Sequence, residues 1–150
     1  KRWGGKLILK GLMDAEDARL AAQTGADALV VSNHGGRQLD GAPSSIEALP
    51  SMVEAAGKDI EVWMDGGIRS GQDVLKARAL GAQGTLIGRS FLYGLGAFGQ
   101  EGVTKALSII HKELDTTMAF CGHTNINQVG AEILVPGTYP QPFPKPFSAA

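Results

Sequence analysis

Two stretches decide the fold: "DAEDARLAAQTGADALVVS" (14–32) and, 56 residues further on, "SGQDVLKARALGAQGTLIG" (70–88). Laid on one another, Asp17 matches Asp73, Gly25 matches Gly81 and Ala26 matches Ala82. Each stretch reads as a helix opening with a capping residue, a glycine stop, and an apolar run. A repeat spanning two strand–helix units points to a (β/α) barrel rather than an open sheet. A doubly wound sheet tolerates the same local patterns and is the competing architecture.

Working outward, four apolar runs read as strands: "KLILKG" (6–11), "ALVVSN" (28–33), "EVWMDGG" (61–67) and "GTLIGR" (84–89). They do not alternate with polar residues, which suits a parallel sheet covered on both faces. Asp14 with Asp17, Ser44 with Glu47 and Ser70 with Asp73 stand at capping-box spacing and open the helices between them. Pro50 is expected to break the second helix or begin a new piece. Residues 90–97 read as a short helix and 100–120 as a long one stopped by Gly122.

Four βα units make half of an eight-fold barrel, which takes roughly 250 residues. The chain has 150 residues, does not begin with Met and enters a strand within six positions, so we expect a piece of a longer protein. We divide it into the C-terminal half of a (β/α)8 barrel (1–135) and a tail (136–150) that holds five of the seven prolines. A half barrel leaves two hydrophobic edges unpaired, so a partner is expected: the other four units on the same or a separate chain, or a second copy.

Composition narrows the function. Hydrophobic residues make up 43% and charged residues 19%, a globular balance. Net charge is −1 with no basic block, which argues against nucleic acid. The single cysteine, Cys121, suits a reducing, cytoplasmic setting. No apolar run is long enough to span a bilayer. No His, Cys or carboxylate cluster suggests a metal, and His111 and His123 read as structural.

Barrel active sites form at the C-terminal ends of the strands. Lys10, Ser32, His34, Arg37, Asp65, Arg69 and Arg89 all fall there. "DGGIRSG" (65–71) and "IGRS" (87–90) suit a phosphate: Gly66 and Gly67 admit close backbone approach, and Arg69 and Arg89 offer bidentate donors. Gly35 and Gly36 let His34 and Arg37 face one space, His34 as a general base and Arg37 on a carboxylate. Lys10 would stabilise negative charge on a cofactor.

"ILKG", "VVSNHGGRQLDG", "DGGIRSGQDVLKARALGA" and "IGRSFLYGL", in this order, resemble the C-terminal half of the FMN-dependent 2-hydroxy-acid dehydrogenases and oxidases. That family acts on acids of the lactate, glycolate and mandelate type. "DGGIRSG" alone is less specific, being similar to loops of inosine-monophosphate dehydrogenases and type 2 isopentenyl-diphosphate isomerases. The resemblance implies FMN as cofactor, a small 2-hydroxy acid as substrate and a homo-oligomer. Lys10 would lie at the flavin N1/O2 edge and Ser32 would be a further flavin contact. His34 would be the base, Arg37 the carboxylate ligand, and Asp65 the partner that orients His34. Gly66, Gly67, Arg69, Gly88 and Arg89 would hold the phosphate and ribityl chain. Peripheral membrane contact would come through a loop preceding this chain. The alternatives are another flavin or nucleotide barrel enzyme such as an isomerase, and a non-catalytic half barrel that needs a partner chain.

Overall fold

The computed structural model describes residues 3–143. Four strands, β1 (Ile8–Leu12), β2 (Ala28–Val31), β3 (Glu61–Met64) and β4 (Gly84–Thr85), form one sheet. All three pairings are parallel, and the spatial order is the sequence order. A doubly wound sheet reverses its strand order at a switch point. No reversal occurs here, so with right-handed crossovers each helix lands on the same side. That is the winding of a barrel, and four of its eight units are present.

Alternation along each strand sorts the two faces. Leu29 and Val31 of β2 and Val62 and Met64 of β3 join Ala18, Ala48, Leu49 and Met52 of the helical layer in the main core. The opposite face, the interior of a closed barrel, carries Ile8, Lys10 and Trp63. It is only partly covered: Ile8 is 42% exposed, and the Trp63 Nε1–H donates to Glu61 Oε2 at 3.0 Å. Only β2 is buried along its whole length. The expectation of full cover therefore holds for β2 and fails at β1, β3 and β4.

The caps do local work. Asp14 accepts from the Glu16 N–H at 2.8 Å and opens α1 (Ala15–Gln23), without the reciprocal bond expected of Asp17. Glu47 accepts from the Ser44 N–H at 2.9 Å, opening α2 (Ser45–Ala56). Ser70 and Asp73 exchange bonds at 2.9 and 3.2 Å across the start of α3 (Gly71–Ala79). Pro50 does not break α2, contrary to expectation. A mid-helix proline costs about 3 kcal/mol. Fully burying the neighbouring Leu49 and Met52 returns roughly 1.5–3 kcal/mol each, so one continuous helix wins.

Helix α4 (Arg89–Phe120) is interrupted at Phe98 and Gly99, whose φ/ψ angles are non-helical. The arms 89–97 and 100–120 match the two helices read from the sequence. They fold back on each other where Gly94 meets Gly102, too close for any Cβ. The long arm crosses the start of α3, where Gly71 lies against the Leu114 backbone and its N–H donates to Glu113 Oε2 at 2.9 Å. No helix among the described residues is long and apolar enough to cross a membrane. In the tail, the Phe143 N–H donates to Ser51 Oγ at 2.6 Å, tying the chain to α2. Residues 144–150 of the predicted tail lie outside the described residues.

Candidate active site

The four strand tips converge on one cavity of about 390 Å³. Lys10, His34, Arg37, Asp65, Gly66, Gly67, Arg69, Gly88 and Arg89 all line it. Of the residues expected from the sequence, only Ser32 lies elsewhere: it is 1% exposed, beneath the cavity floor. Its Oγ accepts from Lys10 Nζ at 2.9 Å and from the His34 N–H at 3.1 Å. Ser32 therefore ties the Lys10 side chain to the His34 backbone.

The β1 tip is shaped by an irregularity that its sequence does not announce. Lys10 pairs with Val30 and Leu12 with Val31, so Gly11 is the extra residue of a bulge. Its φ is +98°, a region that glycine enters at no steric cost. A Cβ there would stand 2.6 Å from His34 Nε2, so the missing side chain also makes room for the imidazole.

After β2 the chain turns left-handed for three residues. His34, Gly35 and Gly36 have φ of +54°, +71° and +74°. The two glycines are needed for this backbone. A histidine at positive φ is uncommon and is held at a cost of about 1–3 kcal/mol by its surroundings. The turn carries Arg37 past it, and Arg89 of α4 reaches back to within 3.9 Å of where a Gly35 Cβ would lie.

The electrostatics carry one correction. The sequence reading pairs Asp65 with His34. In the structure Asp65 Oδ2 instead lies 2.7 Å from Lys10 Nζ, and the buried Oδ1 has no hydrogen-bond partner. A lysine ammonium a few ångströms from a half-buried carboxylate is the stronger electrostatic partner. Among the described residues, no carboxylate lies within ion-pair distance of Arg37, Arg69 or Arg89. Three guanidinium groups without a carboxylate partner among the described residues thus line one hollow, a lining whose charge suits an anion.

The phosphate-side loops fit that reading. Gly67 and Gly88 face open space, so their backbone is open to a ligand. Gly88 gives α4 no side-chain cap, leaving the helix start for an anion. Gly66 is different. A Cβ there would come 3.0 Å from Ser45 Oγ, so close packing against α2 also requires that glycine. Asp73 holds the Arg69 N–H at 3.0 Å and Ser90 Oγ donates to Ile68 O at 3.0 Å, fixing the two loops. Sequence reasoning missed Gly11, Asn33, Ser45, Gln38 and Leu92 at or behind this cavity. The only sequence signal among them is Asn33, a residue that often caps a turn.

Fold and cavity together define an α/β-barrel segment whose strand tips surround a cavity lined by arginine, lysine and glycine residues. The family model for FMN-dependent dehydrogenases matches residues 1–136, and the chain belongs to that family. The L-lactate dehydrogenase of Pseudomonas syringae pv. syringae (strain B728a) is 53% identical over 133 residues, covering 89% of this chain and 35% of that protein. Pre-mycofactocin synthase of Mycobacterium tuberculosis (strain ATCC 25618 / H37Rv) is 49% identical over 135 residues, with 89% and 34% covered. A soluble mutant of the membrane-associated (S)-mandelate dehydrogenase from Pseudomonas putida superposes with a TM-score of 0.83 at 44% identity, covering 87% of this chain and 37% of that one. The chain thus spans about a third of the length of the curated relatives it matches. The likeness to that structure at this identity establishes the fold as part of the same barrel.

The family's cofactor can be tested against the residues present. Unpaired guanidinium groups, open glycine backbone and an uncapped helix start suit a phosphate. A lysine beside them suits an electron-poor ring that gains charge. The residues fit FMN.

Proposed function

We propose that the full-length protein oxidises a small L-2-hydroxy acid of the lactate or mandelate type to the 2-oxo acid. The observation that carries this reading is the single cavity where His34, Lys10 and three guanidinium groups free of carboxylate partners, among the described residues, share one space. FMN, when bound, supplies an acceptor for the two electrons that leave the acid.

The chain's own residues divide the remaining work. Arg69 and Arg89, with the backbone of Gly66, Gly67 and Gly88, would hold the FMN phosphate and ribityl chain. Lys10 would place a positive charge beside the flavin ring, and Ser32 would anchor that lysine. Arg37 would grip the substrate carboxylate through two parallel hydrogen bonds. His34 would be the base that takes a proton from the substrate as hydrogen leaves Cα. Asp65 Oδ1, which has no partner, remains available to the N–H of the charged imidazole.

We assign residues 1–135 to the C-terminal half of the barrel, with the open edges of β1 and β4 as the places where four further units join. A homo-oligomer, and peripheral contact with a membrane through residues outside this chain, belong to the same proposal. The relative named pre-mycofactocin synthase lies nearly as close in sequence as the L-lactate dehydrogenase. A substrate panel must therefore reach beyond lactate and mandelate.

The test uses the full-length protein loaded with FMN and mixed anaerobically with L-lactate or (S)-mandelate. His34→Gln should keep its flavin yet bleach it about 10²–10⁴-fold more slowly. Arg37→Met should mainly raise KM, by roughly 10–150-fold for the loss of a charged hydrogen-bonded contact. Bleaching of the His34→Gln protein at near the parent rate would remove His34 as the base.

A further inference from the structure

The left-handed turn that carries His34 needs something to hold it, and the structure supplies a brace on either side of its base. Asn33 Oδ1 accepts from the Gly35 N–H at 2.9 Å, while Asn33 Nδ2 donates to Pro43 O at 3.1 Å. The Asn33 N–H donates to Ser45 Oγ at 3.3 Å. One residue therefore fastens the turn to the far end of the loop that returns to α2. Ser45 is 3% exposed and cannot easily move. It also backs onto the phosphate-side loop: Ser45 Oγ and Asn33 Oδ1 lie 3.0 and 3.7 Å from where a Cβ on Gly66 would stand.

We infer that Asn33, seated on Ser45, is a positioning residue that sets the His34 imidazole relative to the Gly66 loop. Three points support it. The turn is locally unfavourable at His34, so its geometry must be imposed from outside. The amide oxygen satisfies the Gly35 N–H and its nitrogen closes the loop on Pro43 O, a pair of tasks that no other side chain among the described residues performs. The amide's bonds run to the turn itself and to the returning loop, and Asn33 does not line the cavity.

The inference rests on the proposed role of His34 and is tested beside it in the full-length FMN-loaded protein. Asn33→Ala removes both amide bonds. Asn33→Asp keeps the acceptor for the Gly35 N–H and loses the donor to Pro43. Flavin content, the rate of anaerobic bleaching and its pH profile are read for both, with His34→Gln as reference. A misplacement of about 1 Å at the reacting groups costs on the order of 100-fold. Asn33→Ala should therefore retain FMN, bleach about 100-fold more slowly and show an altered pH profile, and Asn33→Asp should recover much of the rate. If Asn33→Ala bleaches within twofold of the parent while His34→Gln is inactive, the brace is wrong and the base stands. If Asn33→Ala loses FMN together with activity, or Asn33→Asp is no better than alanine, the residue is structural and the inference falls. If His34→Gln itself bleaches normally, the underlying reading of the site fails instead.

Discussion

Replacing Gly11 by alanine tests the geometry of the cavity more sharply than removing any charged group. The new Cβ would lie 2.6 Å from His34 Nε2. Comfortable heavy-atom contact begins at about 3.5 Å, so the imidazole must retreat by about 1 Å. A shift of that size in a proton-transferring group costs about 100-fold in rate, or about 2.7 kcal/mol in the barrier. The backbone contributes separately. Gly11 sits at φ +98°, where a side chain costs about 1–2 kcal/mol. That is a fall in Tm of no more than about 2–4 °C per kcal/mol. Gly25 provides the control: its φ is +80° but nothing lies within 4 Å of its missing Cβ. Gly25→Ala should lower Tm by a similar amount and leave flavin bleaching unchanged. Both variants would be made in the full-length protein and followed by anaerobic stopped-flow absorbance and thermal melting. Should Gly11→Ala melt lower yet bleach its flavin as fast as the parent, the imidazole does not occupy the space beside Gly11 and the site geometry is wrong.

Two further predictions concern stability. Leu49 is fully buried between α2 and the sheet, so Leu49→Ala should cost about 2–5 kcal/mol, read as a lower urea midpoint with an unchanged slope. Hydrogen bonds from the Ser44 side chain and backbone N–H hold the Glu47 carboxyl below the usual carboxylate range. A group with a depressed folded value stabilises fully above its unfolded value, about 4.3, and loses that contribution as pH falls through the folded value. The gap in Tm between the parent and Glu47→Gln should thus be constant from pH 7 to 5 and close below about pH 4; a gap that widens on acidification would contradict the capping role.

Much of the molecule was legible before any coordinates, and the legible part has one physical character. Caps act over three residues, so Ser44 with Glu47 and Ser70 with Asp73 could be read directly, as could the split of α4 near Gly99. Apolar runs located all four strands, and a 56-residue repeat located the winding. Because strand ends of a parallel sheet must meet on one side, the residues collected there supplied the charged and glycine part of the cavity lining but not Gln38, Leu86 or Leu92. Tertiary structure alone decided what depends on register between distant segments. Whether Pro50 is tolerated depends on how much its neighbours bury, not on its own backbone. The bulge at Gly11 appears only when β1 is laid on β2. Lys10 and Asp65 are 55 positions apart, and their meeting is set by two strand registers. Ser32 faced inward because alternation along β2 put it there, and Asn33 found Ser45 because α2 begins beneath it. Short-range hydrogen bonding and hydrophobic pattern are written in the order of residues; distances between side chains from different strands exist only once the sheet has set their register.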